Sequence, residues 1–186
     1  MEIKVVNNTR DVDCDLLVVN MFEGENTTSE LANTYALQQD GFKGKFNQTY
    51  LLQTYGQEKA RKILVIGFGK KSEFNSNKLR EAVAKSIKKA MQIEAKSVAF
   101  ALNGVEFDYS KEFTMGVLIA DYVFDKYRTE NKEKHVQEVY VEANEETVRH
   151  AEKIAAAMNF ARNLANEPAQ FATPSELASI ACDLGL

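Results

Sequence analysis

The chain has 186 residues, 23 basic and 27 acidic side chains, and a formal charge of −4. Its 45% apolar and 27% charged content excludes a mainly disordered polymer and suits one folded domain plus a short extra segment. The longest apolar stretch, Ile63 to Gly69, is far short of the roughly 20 residues of a spanning helix. The N-terminus lacks a signal-peptide core, and two cysteines, Cys14 and Cys182, are too few for a disulfide framework; the expectation is a cytoplasmic protein with reduced thiols.

In chain order, Ile3–Val6 is a β-branched run closed by Asn7-Asn8, and Asp15–Asn20 is an apolar run of strand length. Glu23 to Ser29 reads as a polar loop, and Leu31, Tyr35 and Gln38 predict a helix over Glu30–Gln39, stopped by Asp40-Gly41. After a turn at Gly41–Lys45, Gln48–Gln53 has strand character. Ile63-Leu64-Val65-Ile66 is continuously apolar, as in a strand covered on both faces. A helix from about Asn75 to Gln92 follows, with Leu79, Val83, Ile87, Ala90 and Met91 on one face. Ser97–Leu102 reads as a strand. Phe113, Val117, Ala120, Phe124 and Tyr127 recur at helical spacing and predict a helix over Lys111–Tyr127. A charged loop spans Arg128–His135, a strand Val136–Val141, and a long helix runs from Glu145 to about Ala165. Thr173-Pro174-Ser175-Glu176 is a helix-start signal, and Gly185 ends that last helix. The alternation predicts an α/β layered fold: a mixed, mostly parallel sheet with helices on both faces.

The residues carry little overt chemistry. Gly67-Phe68-Gly69-Lys70-Lys71-Ser72 follows a strand and precedes a helix, the setting of a phosphate cradle. Ser72 stands where the dinucleotide pattern needs Gly or Ala, and the Walker A spacing is absent. A tight strand-to-helix turn explains the glycines better. His135 and His150 fall in no ligand motif. No nucleophile elbow occurs, and Cys14 reads as a buried structural thiol. Glu145-Glu146 suits a helix N-terminus without any catalytic role.

The order of several stretches is more telling. Gly41-Phe42-Lys43-Gly44-Lys45, Tyr50–Gln53, Lys62–Lys71 and Lys78–Ala82 come first, then Tyr122–Arg128, then Ala161–Ala178 with Asn166-Glu167-Pro168 and Thr173-Pro174. Together they resemble the leucyl aminopeptidase family, the cytosolic metallo-aminopeptidases. Gln170 departs from the family's usual Asn after Pro-Ala. The resemblance implies a macro-domain-like N-terminal unit over 1–165, and a junction with a first helix over 166–186 leading to a catalytic domain. It implies two divalent metals, Mn or Zn, in that catalytic domain, peptide substrates losing an N-terminal amino acid, and a homo-hexamer built largely through catalytic domains. The family's Asn-Thr-Asp-Ala-Glu-Gly-Arg signature does not occur in these residues, so no catalytic, cofactor or metal residue transfers to this chain. The expectation is an inactive N-terminal domain serving assembly, access control or accessory binding. The alternative is a stand-alone macro-like module binding ADP-ribose or another nucleotide.

Charge is unevenly spread. Residues 59–96 hold 11 basic and 3 acidic side chains, leaving 12 basic and 24 acidic elsewhere. Lys78, Lys85, Lys88 and Lys89 share one side of their helix, and with Lys70 and Lys71 they form a candidate polyanion patch. A solvated helix face is the plainer reading; weak, salt-sensitive, sequence-independent nucleic-acid binding is the sharper one.

Overall fold

The computed structural model describes residues 1–25, 37, 40–130 and 135–185. Six strands form one sheet: β1 (Glu2–Val5), β2 (Leu16–Phe22), β3 (Thr49–Gln53), β4 (Lys62–Gly69), β5 (Ser97–Ala101) and β6 (Glu138–Val141). Their order is β1-β6-β5-β2-β4-β3, parallel throughout except for antiparallel β3 beside β4. The described helices are α1 (Ser76–Gln92), α2 (Ser110–Ala120), α3 (Glu145–Asn166) and α4 (Pro174–Asp183). The expected helix over Glu30–Gln39 lies outside the described residues, apart from Leu37.

β2 and β4 are almost continuously apolar because both their faces are covered. Side chains alternate across the sheet, and two buried clusters result. Leu16, Val18, Leu64, Ile66, Val98, Phe100, Val139 and Val141 point toward Leu79, Val83 and Ile87 of α1 and Phe113 and Val117 of α2. Leu17, Val19, Met21, Ile63, Val65 and Ala99 point the other way, against Leu37, Phe42 and Cys14. Asp15 ties the starts of β2 and β5 together: its carboxylate accepts from Lys96 N at 2.8 Å and Ser97 N at 3.2 Å.

α1 begins where Asn75 accepts from the backbone N–H of Asn77 and Lys78, each at 3.1 Å. Its amphipathic face is buried against the sheet as the spacing requires, and α2 packs against it at Gly116. A Cβ there would meet Arg80 O at 2.8 Å, so glycine permits the close helix contact. α3 in turn packs on α2 through Met115, Ala151 and Ala155.

Two sequence expectations are corrected. The helix read over Lys111–Tyr127 ends at Ala120. Asp121 N closes it on Val117 O at 3.1 Å, and the chain then crosses to α3. There the Tyr122 ring lies under the Arg162 guanidinium, 3.9 Å away. Contacts with α3 outweigh the helical pattern of Phe124 and Tyr127. The Gly67–Gly69 run is the end of β4 rather than a tight turn. Residues 44–48 press against it: Gly69 N donates to Gly44 O at 2.9 Å and Gly67 N to Gln48 O at 2.7 Å. A Cβ on Gly67 would stand 2.1 Å from Lys45 O, which no side-chain rotation relieves.

Leu79 is fully buried. Leu79→Ala is expected to cost about 2–5 kcal/mol in urea melts; a loss below about 1 kcal/mol would show that α1 does not pack as described. Gly67→Ala is expected to cost more than about 2 kcal/mol, because backbone must move. A stability within about 0.5 kcal/mol of the parent would contradict the close approach of residues 44–48.

Candidate functional site

In open α/β sheets, ligands bind outside the carboxyl ends of the strands, where the strand order reverses. Here that point lies between β2 and β5. It is closed by the chain itself. The Asn20 side chain accepts from Asn103 N at 2.7 Å and donates to Asn103 O at 2.9 Å, sealing the gap as an extra rung would. After the ends of β2 and β4, aromatic rings pack together on the α1 side of the sheet. Phe22 meets Phe68 and Phe74 edge-on, with centroids 5.5 and 5.1 Å apart. Phe68 stacks on Phe74 at 4.5 Å, and Phe107 lies beyond at 6.2 Å. The glycines that resemble a phosphate cradle are spent on contact with residues 44–48.

The six lysines of the candidate patch are not equivalent. Lys70 and Lys78 both reach Glu73, at 3.6 and 3.4 Å, and Lys78 also lies over the Phe46 ring. Lys71 pairs with Glu106 at 2.9 Å, and that carboxylate raises its pKa. Lys89 is half-buried and donates to Gln92 at 3.5 Å. Lys85 and Lys88 are exposed and form no ion pair among the described residues.

Among the described residues, no three His, Cys, Asp or Glu side chains lie together in a way that could hold a metal. His135 is engaged with Asp121, Nδ1 to Oδ2 at 3.1 Å, and His150 is exposed on α3. Burial pushes the Cys14 thiol up to about 11, so it is a poor nucleophile. Cys182 is exposed on α4. The residues present do not fit the metal pair of an aminopeptidase centre.

The most specific polar cluster lies where the chain leaves the layered body. α3 ends at Asn166, and Glu167 before Pro168 turns to extended backbone. The Glu167 carboxylate accepts from Lys126 Nζ at 2.9 and 3.1 Å and from the Tyr127 hydroxyl. The Tyr127 hydroxyl, then the Lys126 ammonium, hold its pKa below the usual carboxylate value. This bracing is therefore present above the ordinary carboxylate pKa and is lost as pH falls through the depressed one. Phe171 stacks on Tyr127, with centroids 5.3 Å apart. Tyr122 OH donates to Asn163 Oδ1 at 2.8 Å and accepts from Asn166 Nδ2 at 3.1 Å.

The elbow thus joins two stretches some forty residues apart that the resemblance had quoted separately, 122–128 and 161–178. The helical spacing of Tyr127 hides this pairing in the sequence; the one local signal of a turn is Glu167-Pro168. Beyond the elbow, the Thr173 hydroxyl caps α4 by accepting from Glu176 N at 3.3 Å, yet no residue of α4 is buried. Between α3 and α4 runs a groove of about 460 Å³, lined chiefly by Phe160, Leu164, Phe171, Leu177 and Ile180.

A family model described as the N-terminal domain of the cytosol aminopeptidase family matches residues 21–131. A probable cytosol aminopeptidase of Alkaliphilus metalliredigens is 32% identical, over 96% of this chain and 41% of its own length. The corresponding protein of Alkaliphilus oremlandii is 29% identical, over 99% and 42%. Among solved structures, a tomato leucine aminopeptidase mutant aligns with a TM-score of 0.81 at 19% identity, over 98% of this chain and 41% of that one. The bottromycin maturation enzyme BotP in complex with Mn gives 0.74 at 21% identity, over 91% and 36%. At such identities these structures bear on the fold alone. The chain spans about 40% of the length of the curated relatives it matches. A stand-alone nucleotide-binding module finds no support in these matches. No described helix is long and apolar enough to cross a membrane. With the family model covering more than half of its residues, the chain belongs to the cytosol aminopeptidase family and carries that family's N-terminal domain.

Proposed function

We propose that this region is the non-catalytic N-terminal domain of a metal-dependent aminopeptidase, and that its task is to carry and position a catalytic domain. The observation that carries the reading is the elbow. A braced turn at Glu167 sends α4 away from the sheet with an apolar groove uncovered beside it. Residues 1–165 are the domain, and 166–186 the junction. Phe160, Phe171, Leu177 and Leu184 are 40–58% exposed, an apolar patch of the kind that marks an interaction site. The catalytic domain is its proposed occupant, since the matched relatives run to more than twice this length.

Hydrolysis of N-terminal residues from peptides, two divalent ions of Mn or Zn, and a homo-hexamer are all assigned to the longer protein. A cytosolic location is proposed from the relatives' description. The BotP complex with Mn supports manganese as the first ion to try. The candidate lysine patch is read as a solvated surface, because Glu73 and Glu106 already engage Lys70 and Lys71 ahead of α1 and Lys78 on it.

The purified 186-residue chain is expected to leave leucine-p-nitroanilide intact with added manganese or zinc. Metal-dependent turnover by the pure chain would overturn the non-catalytic assignment.

A further inference from the structure

We propose that the outer edge of β1 pairs antiparallel with β1 of a second copy of this chain, about a two-fold axis at Ile3. The proposal is independent of the aminopeptidase reading. β1 ends the strand order, with β6 on its inner side. Glu2 N donates to Gln137 O at 2.8 Å and Val6 N to Val141 O at 3.0 Å. In a parallel ladder alternate residues turn the same way, so the even-numbered residues of β1 serve β6. Ile3 and Val5 direct their N–H and C=O groups outward. A groove of about 420 Å³ follows this edge, between β1 and Glu145, Val148, Arg149 and Glu152 of α3.

Among the registers centred on Glu2, Ile3 and Lys4, charge favours one. An antiparallel self-pair using the outward groups sets odd residues against odd residues. Centred on Glu2, it puts Glu2 opposite Glu2; centred on Lys4, it puts Lys4 opposite Lys4. Both oppose like charges, which destabilises a pair of strands. Centred on Ile3, it sets Glu2 opposite Lys4 of the second copy, twice by symmetry. The Ile3 residues then exchange both their N–H···O=C bonds. The Glu2–Lys4 positions are the non-hydrogen-bonded sites, where side chains approach most closely. The Glu2 side chain is 69% exposed, while Lys4 is partly sheltered between Glu2, at 3.5 Å, and Glu138. A short strand with a lysine discourages indiscriminate edge pairing; in the self-pair that lysine meets a carboxylate. Such an isologous contact closes as a dimer.

Sedimentation equilibrium of the 186-residue chain from about 10 μM to about 1 mM tests the pairing in the range expected for a small interface. A reversible monomer–dimer equilibrium is expected. Glu2→Lys, on an exposed side chain, is expected to raise the dissociation constant about tenfold or more by opposing like charges. Ile3→Pro is expected to abolish association while sparing the bonds to β6, because only the outward N–H is lost. Reversing all three charges, Glu2→Lys with Lys4→Glu and Glu138→Lys, restores opposite pairs within and between copies and is expected to recover the dimer. A chain monomeric throughout overturns the proposal. So does a dimer whose dissociation constant stays within about twofold in Glu2→Lys, or a folded triple variant that fails to associate.

Discussion

β2 has no side facing solvent. All seven residues from Leu16 to Phe22 are buried, so each backbone polar group must find its partner in β4 or β5, and each side chain must find apolar cover. The rest of the fold satisfies that demand. β4 and β5 complete the ladder, α1 and α2 cover one face, and Leu37 and Phe42 help to close the other. Even the exception, Asn20, is satisfied by Asn103 backbone in the position a further strand residue would take. A nucleotide entering between the ends of β2 and β5 would have to break those two hydrogen bonds. The Asn20–Asn103 pair thus closes the strand ends at the point where the topology reverses.

The function proposed for this domain accordingly rests on position. Tyr122, Lys126, Tyr127 and Glu167 supply the polar contacts of the elbow. Together they fix the direction in which α3 hands over to α4. An ion pair with Glu167, a hydroxyl bonded to it and a stacked ring at Phe171 hold a turn that Pro168 has already taken out of the helical region. Exposed apolar side chains then collect on α3 and α4, on the side away from the sheet.

How much of this was legible depended on the range of the forces involved. The interior strand at Ile63–Ile66 and the buried face of α1 follow from local periodicity, and both stand in the structure where the pattern put them. The caps at Asn75 and Thr173 are equally local. Four features are not local. The end of α2 at Ala120 depends on Arg162 and Asn163 drawing Tyr122 across to α3. The glycines at 67 and 69 answer to Lys45 and Phe46, some twenty residues earlier. The candidate lysine patch is uniform in sequence, but Glu73 and Glu106, from outside α1, engage Lys70, Lys71 and Lys78. The elbow is split in the sequence between two stretches of the one family resemblance, 122–128 and 161–178, and nothing in either shows that Tyr127 and Glu167 meet.

Native-state hydrogen exchange on the 186-residue chain measures most directly whether one buried strand system holds the domain while the junction stands outside it. Amides of β2 and β4 are expected to exchange only through global unfolding, and those of α4 to exchange orders of magnitude faster through local opening. Protection of Leu177 to Asp183 equal to that of Leu17 to Met21 would contradict the account, since it would make α4 part of the same cooperative core.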